Sequence, residues 1–468
     1  MPDHRLTRSF LNLGAGEAIA RLLGFLAMLV VARRLGPAMY GVIGVASGIM
    51  LYLNQIADGG IELSGVPAVA RHRDDLSALV SSALTIRILI AIALTAVVVV
   101  AGVFLFPQPD GGILALYALG LVFIAIGSRW VFVGLQRTSW VAWARIGGEA
   151  TALVIVLIAV RDVGDVALVP IAALFGAAVG AVVMVAGLRA LGIRPVPSLE
   201  AETSRPLFAR APNLVGFTLL GLVLFNADLI YLRIISGQAA AGYYAAAYTF
   251  IAFAANLSVA WAHSVMPAIA LYEKTDAQRN GVYETSMLLA YAASLPVAVG
   301  GIFCASPLIE LVFGVDFAPA VPALAWLLPA VPIAAVREIA VVGLIGTPGG
   351  ERRLIRINAT CAILNIAILL PVVPRYGLMG AAAVTVLTEV VRLVMALRFA
   401  REEGFSAPNI GRFAKPTLAA AVMIPVLLLA GDQPFYVQLF LGAFVYGSAL
   451  LATGVLRREG GFRLRVVV

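Results

Sequence analysis

Apolar stretches of about twenty residues follow one another along this chain with almost nothing soluble between them. Fourteen can be marked, at 9–32, 38–57, 76–105, 112–135, 139–160, 164–188, 211–235, 241–271, 285–306, 320–346, 355–373, 376–398, 414–431 and 434–456. Each is long enough for a hydrocarbon core of ~30 Å. Inside lipid a backbone must satisfy its own hydrogen bonds, which for such segments means helix. The apolar fraction is 62% and the charged fraction 12%, against ~45–50% and ~25% in soluble domains. The expected fold class is therefore an all-α integral membrane protein of about fourteen spans. Pro296, Pro329 and Pro332 lie inside spans and should kink them.

The chain repeats itself. Asn12–Ala46 recurs without a gap at Asn213–Ala247, and Asn12, Leu13, Leu23, Gly36, Ala38, Gly41 and Ala46 find the same residue in the second copy. Gly36 and Gly237 fall where one helix must stop and the next begin. A repeat made of membrane spans points to a transporter with its site between the copies. The polar stretch with Pro195, Pro197 and Pro206 divides the halves. The expected organisation is a six-helix bundle at 1–189, a cytoplasmic linker at 190–210, a second six-helix bundle at 211–398, and two further helices with a basic tail at 399–468.

Basic residues orient the spans. With a cytoplasmic N-terminus, the inner loops and tails carry 22 Lys and Arg, and the outer loops only Arg33, Arg34, Arg161, Arg233 and Arg375. That follows the positive-inside rule and puts both termini in the cytoplasm. It also accounts for most of the net charge of +8, which calls for no nucleic acid. Both halves enter from the same face, as parallel repeats.

Six arginines remain within spans: Arg21, Arg87, Arg129, Arg145, Arg337 and Arg392. Each costs ~2.5–3.5 kcal/mol at a helix centre, so each needs an acid or a watery cavity. Glu17 with Arg21 and Arg145 with Glu149 are four residues apart and can pair on one helix face; Glu389 and Arg392 are three apart. Arg337 is adjacent to Glu338, a poor pairing because neighbouring helical residues point about 100° apart. Arg87 and Arg129 have no acid within four positions. Arg129, Arg145 and Arg392 lie near span ends and can snorkel, whereas Arg21, Arg87 and Arg337 lie deeper. The arrangement reads in two ways, as ion pairs between helices or as anion-binding groups. The candidate substrate-binding residues are Arg21, Arg87, Arg337 and Arg129, with phosphate as the ligand. Among the acids, Asp58 ends the second span and reads as a solvated loop acid or an ion carrier. Asp228, near Asn226, reads as an ion carrier or as a partner of Arg233. Glu17, Asp58 and Asp228 are the candidate coupling or cavity acids, for H+ or Na+. No resident cofactor or metal is expected.

Other chemistry is missing. Gly346-Thr347-Pro348-Gly349-Gly350 lacks the Lys and Ser/Thr of a phosphate-cradling loop and reads as a helix stop. Cys304 and Cys361 sit in apolar spans, and His4, His72 and His263 are scattered. Arg5 and Arg8 imitate a signal-peptide n-region, but Glu17 and Arg21 interrupt the apolar stretch, so an uncleaved first helix is expected. The outer loops are too short for a catalytic domain, which disfavours a membrane-bound polysaccharide polymerase or ligase.

Several segments resemble the polysaccharide-exporter flippases of the multidrug/oligosaccharidyl-lipid/polysaccharide exporter superfamily. They are Asn12 with Arg21, Ala32 to Pro37, Tyr40-Gly41, Ala57-Asp58-Gly59-Gly60-Ile61, Trp130 to Arg137, Ala241 to Ala246, and Pro307 to Gly314 with Phe317. Order and spacing match over nearly the whole chain, with Gly59 a departure from the family's usual leucine. The resemblance implies two six-helix bundles forming a V that opens alternately to each side. It further implies a cargo of polyprenyl-diphosphate-linked oligosaccharide, such as an O-antigen or exopolysaccharide repeat unit. The cargo would move from the inner to the outer leaflet of a bacterial plasma membrane and pass on to polymerase or export machinery. Of the family's binding residues only Arg21 carries over. A drug or cation antiporter of the same superfamily is the alternative, disfavoured by the intramembrane arginines. The second loop, Ile61-Glu62-Leu63-Ser64-Gly65, lacks the signature of a major-facilitator transporter.

Overall fold

A computed structural model describes residues 3–71, 76–199, 211–270, 277–345, 347, 349–431, 433–458 and 464–466. The order of elements is α1 (Asp3–Asp58), α2 (Ile61–Arg71), α3 (Leu76–Phe104), α4 (Asp110–Ile126), α5 (Arg129–Gly134), α6 (Ser139–Ala159), α7 (Leu168–Ala190), α8 (Ala211–Ala270), α9 (Ala277–Phe303), α10 (Ala305–Phe313), α11 (Val321–Leu327), α12 (Ala330–Ile345), α13 (Gly350–Glu402), α14 (Ile410–Leu429) and α15 (Phe435–Ala452). A short antiparallel hairpin, β1 (Leu456–Arg458) with β2 (Leu464–Val466), follows. Among the described residues ten helices are long and apolar enough to cross a membrane, and a pair bent by 46°, Val315–Leu327 with Ala330–Ile345, makes an eleventh span. Three of the ten are double-length helices broken at a glycine. Counted by their breaks, the spans number fourteen, as the sequence predicts. Pro329 sits at the 46° bend and Pro296 inside α9.

The breaks explain the repeat. Gly36 interrupts α1 with φ 72° and ψ 177°, and Gly237 interrupts α8 with φ 88° and ψ −178°. A positive φ with ψ near 180° is essentially closed to residues with a Cβ. Both copies thus turn one span into the next with the same backbone conformation. Pro37 starts the helix after Gly36, where a missing N–H does no harm. Gly377 breaks α13 in a related way, with φ 53° and ψ −130°.

The chain divides into two compact units, Met1–Arg233 and Ile234–Val468. In the first, α6 lies against α7 and α1, and α3 against α4. The α6–α7 crossing is close because a Cβ on Gly148 would stand 2.8 Å from the Gly176 carbonyl oxygen, the small-residue packing of membrane helices. Trp130 and Phe132 of α5 are wholly buried among Ile61 and Val69 of α2 and Leu188 of α7. The seventh span, the first half of α8, is fastened within this unit. Tyr52 donates its hydroxyl to the Leu222 carbonyl at 2.8 Å, and Arg233 grips Asp110 through two bonds of 2.7 and 2.8 Å. The polar stretch after α7 lies along α3, where Ser81 and Thr85 side chains accept from the Val196 and Ser198 amides at 3.0 and 3.1 Å; residues 200–210 lie outside the described residues.

In the second unit α12 packs on α9 and α13. The last two spans, α14 and α15, also lean on α9. Leu295, Met423 and Tyr446 share one core, and the Tyr446 hydroxyl donates to the Ala292 carbonyl at 2.7 Å.

Candidate functional site

Charged side chains inside the first unit gather in one place. On α1, Glu17 and Arg21 are one helical turn apart, and Arg21 Nε meets Glu17 Oε1 at 3.1 Å. The other Glu17 oxygen faces Arg145 of α6 at 3.6 Å, and Arg145 Nη1 meets Glu149 one turn further on at 3.4 Å. Arg129, at the start of α5, faces Glu62 of α2 at 3.5 Å. Arg87 of α3 binds Asp58 at 3.2 Å and donates to the Gly127 carbonyl at 2.7 Å. Asp58 uses its other oxygen to accept from the Glu62 amide at 3.1 Å, so it also anchors the start of α2. Four arginines thus meet four carboxylates. Burial pushes the Glu62 carboxyl above its usual range, and the Arg129 guanidinium beside it pulls the other way.

Six of these residues, Glu17, Glu62, Arg87, Arg129, Arg145 and Glu149, line a cavity of about 550 Å³ within the unit. The rest of its lining is apolar: small residues of α6 and α7, among them Gly148, Ala152, Ala173 and Ala177, with the larger Phe123, Ile124, Val141 and Met184. The volume lies in the ~300–1,000 Å³ range of small-molecule sites. Arg87 is enclosed, with 6% of its side chain exposed, whereas Arg21, Arg129 and Arg145 are about half exposed.

The arginines expected to act on substrate part company here. Arg87 and Arg129 line the cavity, and Arg21 stands beside it, joined through Glu17. Arg337 lies in the second unit, 3% exposed, between Glu338 and Glu389, each at 2.8 Å. The Arg337–Glu338 pair, expected to be poor, forms because the long guanidinium stem spans the arc between neighbouring positions. Arg392 does not snorkel; it is buried and holds the second Glu389 oxygen at 2.6 Å. Asp58 is not a solvated loop acid, because Arg87 holds it. Asp228 is buried and accepts from the Leu229 amide at 2.8 Å, while Arg233, its expected partner, goes to Asp110. Glu62, Arg145 and Glu149 were not among the expected site residues. The spacing of Arg145 and Glu149 reads as an ordinary helix-face pair, and nothing local ties Glu62 to Arg129.

A family model described as "Polysaccharide biosynthesis protein" matches residues 6–273. No curated protein sequence matches the chain significantly. Among solved structures, lipid II flippase MurJ in an inward closed conformation aligns with a TM-score of 0.78 at 15% identity, over 93% of this chain and 97% of that one. An inward-facing multidrug resistance MATE family transporter of the MOP superfamily aligns at 0.64 and 13% identity, over 84% and 97%. A Vibrio cholerae MATE transporter aligns at 0.58 and 15%, over 85% and 96%. At such identities the likeness is one of fold, and it is the fold expected from the sequence.

Proposed function

The chain belongs to the polysaccharide biosynthesis protein family, and from that premise we propose that it is a flippase for a polyprenyl-diphosphate-linked oligosaccharide. The cargo moves from the inner to the outer leaflet of a bacterial plasma membrane by alternating access. It then passes to polymerase or export machinery. The observation that carries this reading is the chain of arginines at the first unit's cavity. Arg21 is half exposed and, among the described residues, is held only through its Nε on Glu17, so its terminal nitrogens can grip a phosphate. A guanidinium suits that task because its planar fork stays charged and donates paired hydrogen bonds. Arg129, also half exposed and on the cavity wall, is a second contact to the cargo. Arg87, held by Asp58 and the Gly127 carbonyl, and Arg337, held by Glu338 and Glu389, tie helices together within their own units. Asp228, buried in the seventh span, is the acid we assign to a coupling H+ or Na+.

The test is complementation of strains that lack a flippase and make a known glycan. Restored surface polysaccharide in at least one strain is expected, with loss in Arg21→Ala and partial recovery in Arg21→Lys. Failure in every strain together with efflux of cationic drugs would establish the antiporter reading instead.

A further inference from the structure

The cavity in the first unit is already balanced in charge. Each arginine on its wall has a carboxylate: Arg87 has Asp58, Arg129 has Glu62, and Arg145 has both Glu17 and Glu149. An extra anion entering it meets the Glu17, Glu62 and Glu149 carboxylates as well as the arginines, and their repulsion offsets the attraction. A hydroxylated ligand meets no such barrier. A carboxylate has about four lone-pair sites and a guanidinium five N–H donors, and a single ion pair uses only part of each. What remains is a set of unused acceptors and donors on the cavity lining, which also carries the small apolar side chains of Ala152, Ala173 and Ala177.

Resting on the flippase reading, we propose that this cavity is the subsite for the first sugars of the cargo, and that it selects a root glycan without net negative charge. Arg21 places it. A phosphate held by Arg21 stands one carboxylate away from the cavity, because Glu17 touches Arg21 with one oxygen and Arg145 with the other. A sugar joined directly to that diphosphate reaches the cavity wall. The division of labour is thus a half-exposed arginine for the diphosphate and a neutral polar pocket for the glycan.

The test uses the purified full chain in lipid nanodiscs and three probes: bare polyprenyl diphosphate, the same lipid carrying a neutral trisaccharide, and one whose root sugar is a uronic acid. The neutral glycolipid should bind about tenfold more tightly than the uronate, repulsion from the lining carboxylates being the difference. Ala177→Leu, which fills the apolar wall, should weaken the neutral glycolipid and leave the bare lipid unchanged. Glu149→Gln keeps the volume, releases capacity on Arg145 and should narrow the gap between neutral and uronate probes. It covers the case in which Ala177→Leu does not fold. Equal affinity for both glycolipids, with bare lipid still bound in an Arg21-dependent way, overturns the glycan subsite and leaves the flippase reading standing. No binding of any diphosphate lipid overturns both.

Discussion

Inside an apolar bundle, an arginine and a carboxylate are tolerable as a pair and damaging apart. Arg87 and Asp58 show the asymmetry clearly. The arginine is enclosed, the acid is 14% exposed, and Asp58 also caps the start of α2. Arg87→Ala should therefore cost about 3–5 kcal/mol by stranding the acid. Arg87→Met combined with Asp58→Asn should recover most of that loss. Thermal unfolding in detergent, followed by tryptophan fluorescence, measures it; a double variant as unstable as the single one would mean that the two charges are not coupled. These pairs also mark what the sequence could reveal. Glu17–Arg21, Arg145–Glu149 and Glu389–Arg392 are readable because a helix turn puts them together. Arg337 and Glu389 lie 52 residues apart, and Arg233 and Asp110 lie 123 apart. Such partners are decided by which helices pack together, which local spacing does not encode. The cavity was hidden for the same reason, since its lining comes from seven helices.

At the level of elements, glycine decides where spans end. Hydropathy locates fourteen apolar stretches because lipid demands length and greasiness from each. It says little about joints, and α1, α8 and α13 each run two spans with a single non-helical residue between them. Gly36 and Gly237 have open space where a Cβ would be, so the demand for glycine is one of backbone conformation alone. Gly36→Ala and Gly237→Ala should each destabilise the protein by ~1–3 kcal/mol. Gly14→Ala is the control: that residue is helical with nothing near its Cβ position, and the change should stabilise by ~0.5–1 kcal/mol. Midpoints of thermal unfolding compare the three. Neutral behaviour at Gly36 and Gly237 would show that the joints tolerate another conformation, and the duplicated turn would lose its physical basis.

For the whole molecule, the proposed inner-to-outer transport depends on its direction in the membrane. The loop arginines make a definite claim about it, because segments rich in Lys and Arg stay on the cytoplasmic side. Two exposed positions flanking α7 carry the opposite expectations. Asp162, in the turn between α6 and α7, should face outward, and Arg189, in the last turn of α7, should face the cytoplasm. The native thiols Cys304 and Cys361 are both buried, so a single introduced cysteine reports without interference. Asp162→Cys should react with a membrane-impermeant maleimide in intact cells. Arg189→Cys should react only after the membrane is opened. The reverse pattern would invert the protein. The half-exposed Arg21 would keep its place beside the cavity, but the path proposed for the diphosphate would then begin on the wrong side of the bilayer.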